Sequence, residues 1–198
     1  IDISAFTSIF RPGPLAANVH EQYVNAKNNP EDVYYLNDMV REVTEESYGF
    51  LIFQEQIALL AHRLGKNLSL DEGNLLRKVL TKKGTGKGAQ TKEKLHDKFI
   101  IGCVEKGINK FKAEDLWKTF EYFSGYGFNK SHAISYSAIS FQCAWLLNYY
   151  PSEWMAAFLD KEPESRKEKA INTVKSYGFK IEKATLNKSG VVWEISPD

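Results

Sequence analysis

Two groups of cationic residues give this sequence its strongest chemical signal. The first group runs from Arg77 to Lys98 and contains eight basic residues against two acidic ones. The second is the segment Asn129-Lys130-Ser131-His132, which follows a glycine-bounded turn. Arginine and lysine side chains are the usual protein partners of phosphate oxygens. Both groups are therefore candidate phosphate-binding sites.

The first group also has an ordinary structural interpretation. Arg77 and Lys78 lie near the predicted C-terminal end of a helix, and Lys82 and Lys83 follow about one turn later. Basic residues in that position stabilise the negative end of the helix dipole whether or not a ligand binds. On these residues alone, a solvated helix end and a phosphate clamp are equally supported.

The second group lies at the predicted start of another helix. Unpaired backbone N–H groups in a first helical turn attract anions, as the side chains of Lys130 and His132 do. Tyr136, one turn along the same face as His132, could contact a sugar or a base. The alternative is purely structural: Ser131 is the N-cap, His132 is a partly buried first-turn residue, and Tyr136 packs in the core.

Two further charged residues are held by predicted local structure. Arg11 begins the segment Arg11-Pro12-Gly13-Pro14, which is predicted to be a rigid, non-helical turn that could hold the cation at a nucleotide or a domain junction. Glu55 opens a predicted helix, where it favours the dipole and could pair with a nearby cation. We interpret Glu55 as structural support, because no second acid has a spacing that would build a two-metal site with it.

Other kinds of site are not supported by the residue spacing. Gly86-Lys87 is followed by glycine instead of the Ser or Thr of a Walker A motif, and no strand is predicted before it. The four histidines have no companion ligands at zinc-like spacing. Cys103 and Cys143 lie in apolar helical contexts and are predicted to be buried free thiols. We expect neither a bound metal nor a disulfide.

Composition predicts a folded protein without a membrane partner. Of the 198 residues, 43% are hydrophobic and 13% are aromatic, which is enough for a substantial core. No apolar run approaches the roughly 18 residues of a membrane span, and no secretory signal is found. Charge is segregated, since residues 21–47 hold seven acids against two bases. We expect a cytoplasmic protein.

The cationic groups are predicted to be positioned by helices. Apolar spacing predicts a helix from Gln54 to Leu64, with Gly65 as its stop. A second helix is predicted from near Ser69, where Glu72 completes a capping box. Three glycines predict an exposed loop over residues 83–91. Further helices are expected over residues 92–106, 113–123 and 152–159.

The C-terminal third contains the most apolar helix and the only predicted strands. Residues 131–150 are apolar around nearly the whole helical circumference, so this helix is predicted to be central. Phe179–Glu182 and Val191–Ile195 alternate like strands, with a turn at Asn187–Gly190. The predicted fold is mainly α: a multi-helix domain over residues 1–160 and a small α+β segment over residues 161–198.

Four clusters of residues occur in order along the chain: Phe10–Pro14, Tyr48-Gly49 with Phe53–Gln56, Leu75–Lys78 with Lys82-Lys83, and Gly125–His132. Together they resemble the C family of bacterial replicative DNA polymerases, in its DNA polymerase III alpha-subunit (DnaE-type) branch. The similar pattern continues through Tyr136 and Gln142 to residues 150–157. The chain departs from the family pattern at Phe53, Lys78 and Thr81, where the family usually has tyrosine, arginine and glycine.

The resemblance implies that the chain is the fingers domain of a DNA-directed DNA polymerase and lacks the catalytic aspartates, which lie in the palm upstream. No catalytic residue or metal ligand is then expected in the chain, and Mg²⁺ belongs to the parent polymerase. The residues implied to bind the dNTP phosphates are Arg77, Lys78, Lys82, Lys83, Lys130 and His132. Those implied at the sugar, base or palm junction are Arg11, Asn129 and Tyr136, and those at the DNA backbone are Lys87 and Lys92.

The implied partners are a DNA template-primer, a dNTP and the palm domain, with the sliding clamp and other replisome subunits bound through regions outside these 198 residues. The alternative is a free-standing helical nucleic-acid-binding or adaptor protein whose basic residues contact phosphates without a polymerase. A palm with clustered aspartates encoded upstream of Ile1 would favour the polymerase. A natural chain that starts near Ile1 would favour the adaptor.

Overall fold

A computed structural model of the chain describes residues 1–81, 87–125 and 127–196. The chain divides into two compact units, Ile1–Ser137 and Ala138–Asp198. The described parts of both units consist mainly of α-helices, which confirms the fold class at that level. The predicted boundary at residue 160 lies inside the second unit.

The helices are short to medium in length and follow each other closely along the chain. Short 3-10 helices lie at Pro30–Asp32, Glu45–Ser47 and Glu164–Arg166. The α-helices are α1 (Asp2–Ile9), α2 (Pro12–Ala16), α3 (Val19–Asn28), α4 (Asp38–Thr44), α5 (Gln54–Leu64), α6 (Leu70–Thr81), α7 (Lys87–Glu105), α8 (Lys110–Ser124), α9 (Lys130–Tyr149), α10 (Pro151–Lys161) and α11 (Lys167–Ser176).

The helices α5 and α6 follow the sequence prediction. α5 has the predicted bounds, Gln54 to Leu64. The predicted capping box of α6 is present: the backbone N–H of Glu72 donates to Ser69 Oγ over 3.1 Å, and that of Ser69 donates to Glu72 Oε2 over 3.0 Å. These reciprocal bonds use two N–H groups that a helix start otherwise leaves unpaired.

α7 begins earlier than its periodicity predicted. Helical structure starts at Lys87, so residues 87–91 are not part of an exposed loop. Glycine is tolerated in a first helical turn, where few side-chain contacts are required. Residues 83–86, the first four of the predicted loop, lie outside the described part of the chain.

The main core of the first unit lies between α4, α5, α6, α7 and α8. Burial of each large apolar side chain there contributes about 1.5–3 kcal/mol. A second apolar cluster joins α1, α3, residues 52–53 and the start of α9. The fully buried residues of the main core include Leu60, Leu64, Leu76, Phe99 and Phe120.

A close crossing fixes α7 against the end of α5. A Cβ atom added at Gly102 would lie 2.2 Å from the backbone N of Lys66 and 2.4 Å from the carbonyl oxygen of Leu64. The N–H of Lys66 also donates to the carbonyl of Lys98 over 2.8 Å. Because backbone atoms surround the position, the crossing requires a glycine.

The first unit buries only one face of the start of α9. Ala133 and Ser137 are buried, and Ser137 Oγ accepts a hydrogen bond of 2.9 Å from Ser4 Oγ in α1. Ile134 and Tyr136 on the remaining faces are exposed.

Most of the rest of α9 is also exposed, so the prediction of a central helix is wrong. The core of the second unit is a small cluster between α10 and α11, to which α9 contributes Leu147. Two short helices cover too little of its circumference to bury an all-round apolar helix. The exposed side chains include Ile139, Phe141, Trp145 and Tyr149.

The predicted α+β segment is not observed either. The described residues between 179 and 196 form no strand, although a turn joins the carbonyl of Thr185 to the N–H of Ser189 over 3.1 Å. Phe179 and Trp193 pack against the small core, but Val191 is fully exposed. A two-stranded hairpin needs a third strand or a covered apolar face to be stable, and alternation alone supplies neither.

Both cysteines are free, and only one of them is buried. Cys103 lies in the main core, where burial raises the pKa of its thiol to about 12. Cys143 is half-buried. The prediction of a buried thiol is therefore confirmed for Cys103 and wrong for Cys143.

We expect Gly102→Ala to lower the free energy of unfolding by about 1–3 kcal/mol, because the added methyl group must displace backbone atoms. Gly88→Ala is the matched control on the same helix, since no described atom lies within 4 Å of the Cβ position there. It should leave stability unchanged or raise it by up to about 1 kcal/mol. Urea denaturation of both variants measures the difference in their free energies of unfolding. Equal changes in the two variants would contradict the close crossing of α7 and α5 at Gly102.

We expect the charge of Glu72 to stabilise the fold in a pH-dependent way. Its hydrogen bond from Lys98 is the largest influence that lowers the pKa of Glu72 below its ordinary value of 4.5. A carboxyl group whose pKa is lower in the folded state than in the unfolded state stabilises the fold at pH values above its unfolded-state pKa. This contribution is lost as the pH falls through its folded-state pKa. Glu72→Gln should cost about 0.5–1 kcal/mol at pH 7 and progressively less below about pH 4.5. Denaturation of Glu72→Gln and the exposed control Glu93→Gln at several pH values tests this, and a pH-independent difference would contradict it.

Candidate phosphate-binding site

The first turn of α5 brings the two cationic groups together. Its three residues, Gln54, Glu55 and Gln56, are consecutive and polar. Successive residues on a helix point about 100° apart, so each side chain reaches a different segment. Gln54 contacts the first cationic group, Glu55 contacts the second, and Gln56 is buried below them.

Gln54 holds Arg77 and the turn before α9. Its Oε1 accepts a hydrogen bond from Nη1 of Arg77, and its Nε2 donates to the carbonyl of Gly127 over 3.0 Å. The backbone N–H of Gln54 also donates to the carbonyl of Phe128 over 3.0 Å, and the N–H of Phe128 donates to the carbonyl of Ile52. This parallel bridge fixes the turn against the residues that precede α5.

Glu55 binds the start of α9. Its Oε1 accepts from Asn129 Nδ2 over 2.7 Å, and its Oε2 accepts from the backbone N–H of Lys130 over 3.0 Å. The sequence predicted a lysine or arginine side chain as the partner of Glu55. The observed partners are an amide and a backbone group, which likewise suit a carboxylate at the positive end of a helix.

Asn129, and not Ser131, caps α9. Asn129 Oδ1 accepts from the backbone N–H of His132 over 2.9 Å and from Ser131 Oγ over 2.7 Å. The alternative interpretation of Ser131 as the N-cap is therefore wrong, because the helix begins at Lys130, two residues before the start that a cap at Ser131 would give. Two first-turn N–H groups, those of Lys130 and His132, already have acceptors within the protein.

The ammonium group of Lys130 contacts a carboxylate and an aromatic ring. Nζ lies 2.5 Å from Glu46 Oε1 and 5.6 Å from the centre of the Phe53 ring. Both charged side chains are about 30% exposed, so solvent and ligands can reach them. A cation over an aromatic face is attracted by the ring quadrupole.

Arg11 and a row of rings lie beside the same turn. The guanidinium of Arg11 lies 4.9 Å from the centre of the Phe128 ring, and its Nε donates to the carbonyl of Ser8 over 2.8 Å. Burial lowers the pKa of Arg11. The ring of His132 lies 5.5 Å from that of Phe128 and 4.7 Å from that of Tyr136. Tyr136 is 56% exposed, so core packing does not explain it.

The segment that carries Arg11 is helical, contrary to the prediction. α2 begins at Pro12, and Arg11 itself has extended backbone angles immediately before it. Proline suits the first position of a helix, because its missing N–H would be unpaired there and its φ is already helical.

Of the other predicted contact residues, Lys92 pairs with a residue of α8, and three lie wholly or partly outside the described part of the chain. Nζ of Lys92 lies 2.6 Å from Glu121 Oε1, which ties α7 to α8. Lys78 is exposed on α6. Lys82, Lys83 and the side chain of Lys87 lie outside the described part of the chain.

Sequence reasoning did not identify Gln54, Phe128 or Glu46 as parts of the site. Gln54 and Phe128 lie in two of the clusters that carry the family resemblance, Phe53–Gln56 and Gly125–His132, and this was the signal for them. Glu46 had none, because 84 residues separate it from Lys130.

Gln56 supports the site from below. It is 2% exposed, and its Oε1 accepts from the backbone N–H groups of Ile52 and Phe53 over 2.9 and 3.0 Å. Its Nε2 donates to the carbonyl of Val43 over 3.1 Å and to Ser47 Oγ over 2.7 Å. This one buried amide joins α4 and the 3-10 turn after it to the start of α5.

The arrangement suits the binding of anionic oxygens. The cations Arg77, Lys130 and Arg11 lie around one polar helical turn, and the exposed ring of Tyr136 lies nearby. Among the described residues, no group of three or more His, Cys, Asp or Glu is arranged to hold a metal ion, and no helix could span a membrane. A separate apolar cavity of the first unit contains none of these cations; it is lined by Ser8, Ile9, Pro14, Val19, Leu51, Ile52, Tyr122 and Phe123.

Comparison with known proteins gives one family. A model of the bacterial DNA polymerase III alpha subunit finger domain matches residues 1–107. Among similar curated proteins, the DNA polymerase III subunit alpha of Campylobacter jejuni is 35% identical over 190 residues, which cover 95% of this chain and 15% of that protein. The one from Aquifex aeolicus is 36% identical over 195 residues, 98% of this chain and 16% of that protein. The chain therefore spans about 15% of the length of these relatives.

We expect Gln56→Leu to lower the free energy of unfolding by about 2–4 kcal/mol, because a side chain of similar size removes four hydrogen bonds and leaves buried donors unpaired. The matched control is Gln22→Leu on α3, where the glutamine is exposed. It should change stability by less than about 0.5 kcal/mol. Denaturant titration compares the two, and a loss below 1 kcal/mol at Gln56 would contradict its structural role.

Proposed function

This chain belongs to the finger-domain family of bacterial DNA polymerase III alpha subunits, and we propose that it forms the fingers region of a DNA-directed DNA polymerase. In this role it binds the triphosphate of the incoming dNTP next to the template-primer. The observation that carries the proposal is the convergence of Arg77 and the segment 129–132 on the first turn of α5. These residues are far apart in the sequence, and both contact a single helical turn.

Nucleotidyl transfer needs two kinds of charged group. Metal-bound carboxylates activate the primer hydroxyl, and cations orient the triphosphate and stabilise the charge on the leaving pyrophosphate. Arg77 and Lys130 suit the second task, since both are cations that contact one helical turn. As the family resemblance implies, we assign the catalytic aspartates and their Mg²⁺ to the palm of the polymerase.

Arg77 and Lys130 have complementary parts in this proposal. The planar guanidinium of Arg77 can bind two phosphate oxygens side by side, and its bond to Gln54 sets the plane of the fork. Lys130 provides a point charge at the start of α9, where the helix dipole also favours an anion. Lys78, Lys82, Lys83 and His132 extend the same phosphate contacts.

The remaining predicted residues are assigned to the sugar and base of the nucleotide, the palm junction and the DNA backbone. Tyr136 presents an exposed ring beside His132, which suits stacking against a sugar or base. Arg11 and Asn129 lie at the turn that joins these rings to Lys130 and complete the sugar, base or palm contacts. Lys87 and Lys92 are proposed to contact the DNA backbone, for which Lys92 must leave Glu121.

We expect Arg77→Ala and Lys130→Ala each to weaken dNTP binding by about 1.5–3 kcal/mol, the contribution of a charge-assisted hydrogen bond. This corresponds to an increase of about 10- to 150-fold in Kd. The measurement is titration of the correct dNTP into the full-length subunit bound to a primer that ends in a dideoxynucleotide. Melting curves of each variant check that the fold is retained.

The matched control is Lys118→Ala, which removes an exposed lysine of α8 that is paired with Asp115. Its Kd should stay within about twofold of the unmodified protein, because an exposed pair contributes little. Unchanged affinity in both site variants would remove Arg77 and Lys130 from the nucleotide site. A natural reading frame without a palm upstream would overturn the polymerase assignment itself.

A further inference from the structure

Lys130 is held by a carboxylate of its own chain. Its Nζ lies 2.5 Å from Glu46 Oε1, and its backbone N–H donates to Glu55 Oε2 over 3.0 Å. The two groups of Lys130 that favour a phosphate oxygen therefore both contact carboxylate oxygens. A carboxylate and a phosphate offer these donors the same kind of anionic acceptor.

The two carboxylates differ in how firmly they are held. Glu55 accepts two hydrogen bonds, one of them from Asn129, and lies in the first turn of α5. Glu46 contacts Lys130 through a single oxygen, and its side chain is 32% exposed. Glu46 is therefore the carboxylate that can exchange its position with a ligand.

The backbone of Glu46 cannot move away easily. Glu46 lies in the 3-10 turn Glu45–Ser47, and Ser47 is fully buried. Ser47 Oγ accepts from Gln56 Nε2 over 2.7 Å and donates to the carbonyl of Phe50 over 2.7 Å. The carboxylate can therefore leave Lys130 by rotation of its side chain, while the turn stays in place.

We propose that Glu46 is an internal competitor of the triphosphate for Lys130. Without nucleotide, Glu46 neutralises the ammonium group and keeps it over the ring of Phe53. When the triphosphate binds, the more strongly charged phosphate takes the ammonium, and the side chain of Glu46 rotates toward solvent. This inference rests on the proposed function, since it concerns the same site.

The competition has a direction that can be measured. A partly exposed ion pair contributes little by itself, so the phosphate can displace Glu46. The displaced carboxylate still lies near the triphosphate and repels it through the solvent. Both effects oppose nucleotide binding, and both disappear when the carboxylate becomes an amide.

The experiment is titration of the correct dNTP into the full-length subunit carrying Glu46→Gln, on a dideoxy-terminated primer. We expect Kd to fall by about three- to tenfold, because one competing contact and one repulsion are removed. In the double variant Glu46→Gln with Lys130→Ala, this gain should disappear, since no ammonium remains to compete for.

The matched control is Glu45→Gln at the neighbouring position. It removes the same charge, but Glu45 faces Arg41, with Nε at 3.4 Å, and not Lys130. Its Kd should change less than about twofold, because solvent screens exposed charges that lie further apart. An equal gain in both variants would assign the effect to net charge and overturn the competition.

Two other outcomes are equally decisive. Unchanged or weaker binding in Glu46→Gln, with Lys130→Ala still impaired, would overturn this inference alone and make Glu46 a support that positions Lys130. If Lys130→Ala does not weaken dNTP binding, the proposed site fails and the inference fails with it. The two failures are therefore distinguished by the single variant at Lys130.

Discussion

The structure depends on the first turn of α5, where three consecutive polar side chains hold three different segments. Gln54 binds Arg77 and the turn at Gly127, Glu55 binds the start of α9, and Gln56 binds the buried residues Val43 and Ser47. Since these contacts share one rigid helical turn, a displacement of any segment disturbs the others. Lys130 and Arg77 keep their relative positions through these contacts with α5, and not through a contact with each other.

A site for anions must remain stable when no anion is bound, and here the protein supplies the counter-charges. Glu55 satisfies the start of α9, and Glu46 pairs with Lys130. Unpaired cations close together would repel each other, while oxygen acceptors from the protein keep them separated and oriented. The arrangement combines a firmly bonded carboxylate, which orders the site, with a loosely bonded one, which a ligand can replace.

α9 shows that apolar composition does not by itself determine burial. In the first unit the helix buries Ala133 and Ser137 against α1, and in the second it contributes Leu147 to a small core. The same limit applies to residues 179–196, whose alternating pattern suits a strand but finds no partner strand among the described residues. In both cases the sequence pattern indicates which side chains a segment could bury. Whether they are buried depends on the neighbouring elements.

The amino-acid sequence by itself determined the features that depend on residues within about one helical turn of each other. These include the bounds of α5 and the Ser69–Glu72 capping box. The sequence also carries the cationic character of both groups and the resemblance that the family comparison confirms. Only the tertiary structure decided the pairing of Arg77 with Gln54, of Lys130 with Glu46 and of Asn129 with Glu55. The physical reason is separation along the chain: these partners lie between 23 and 84 residues apart, so packing of whole helices, and no local preference, brings them into contact.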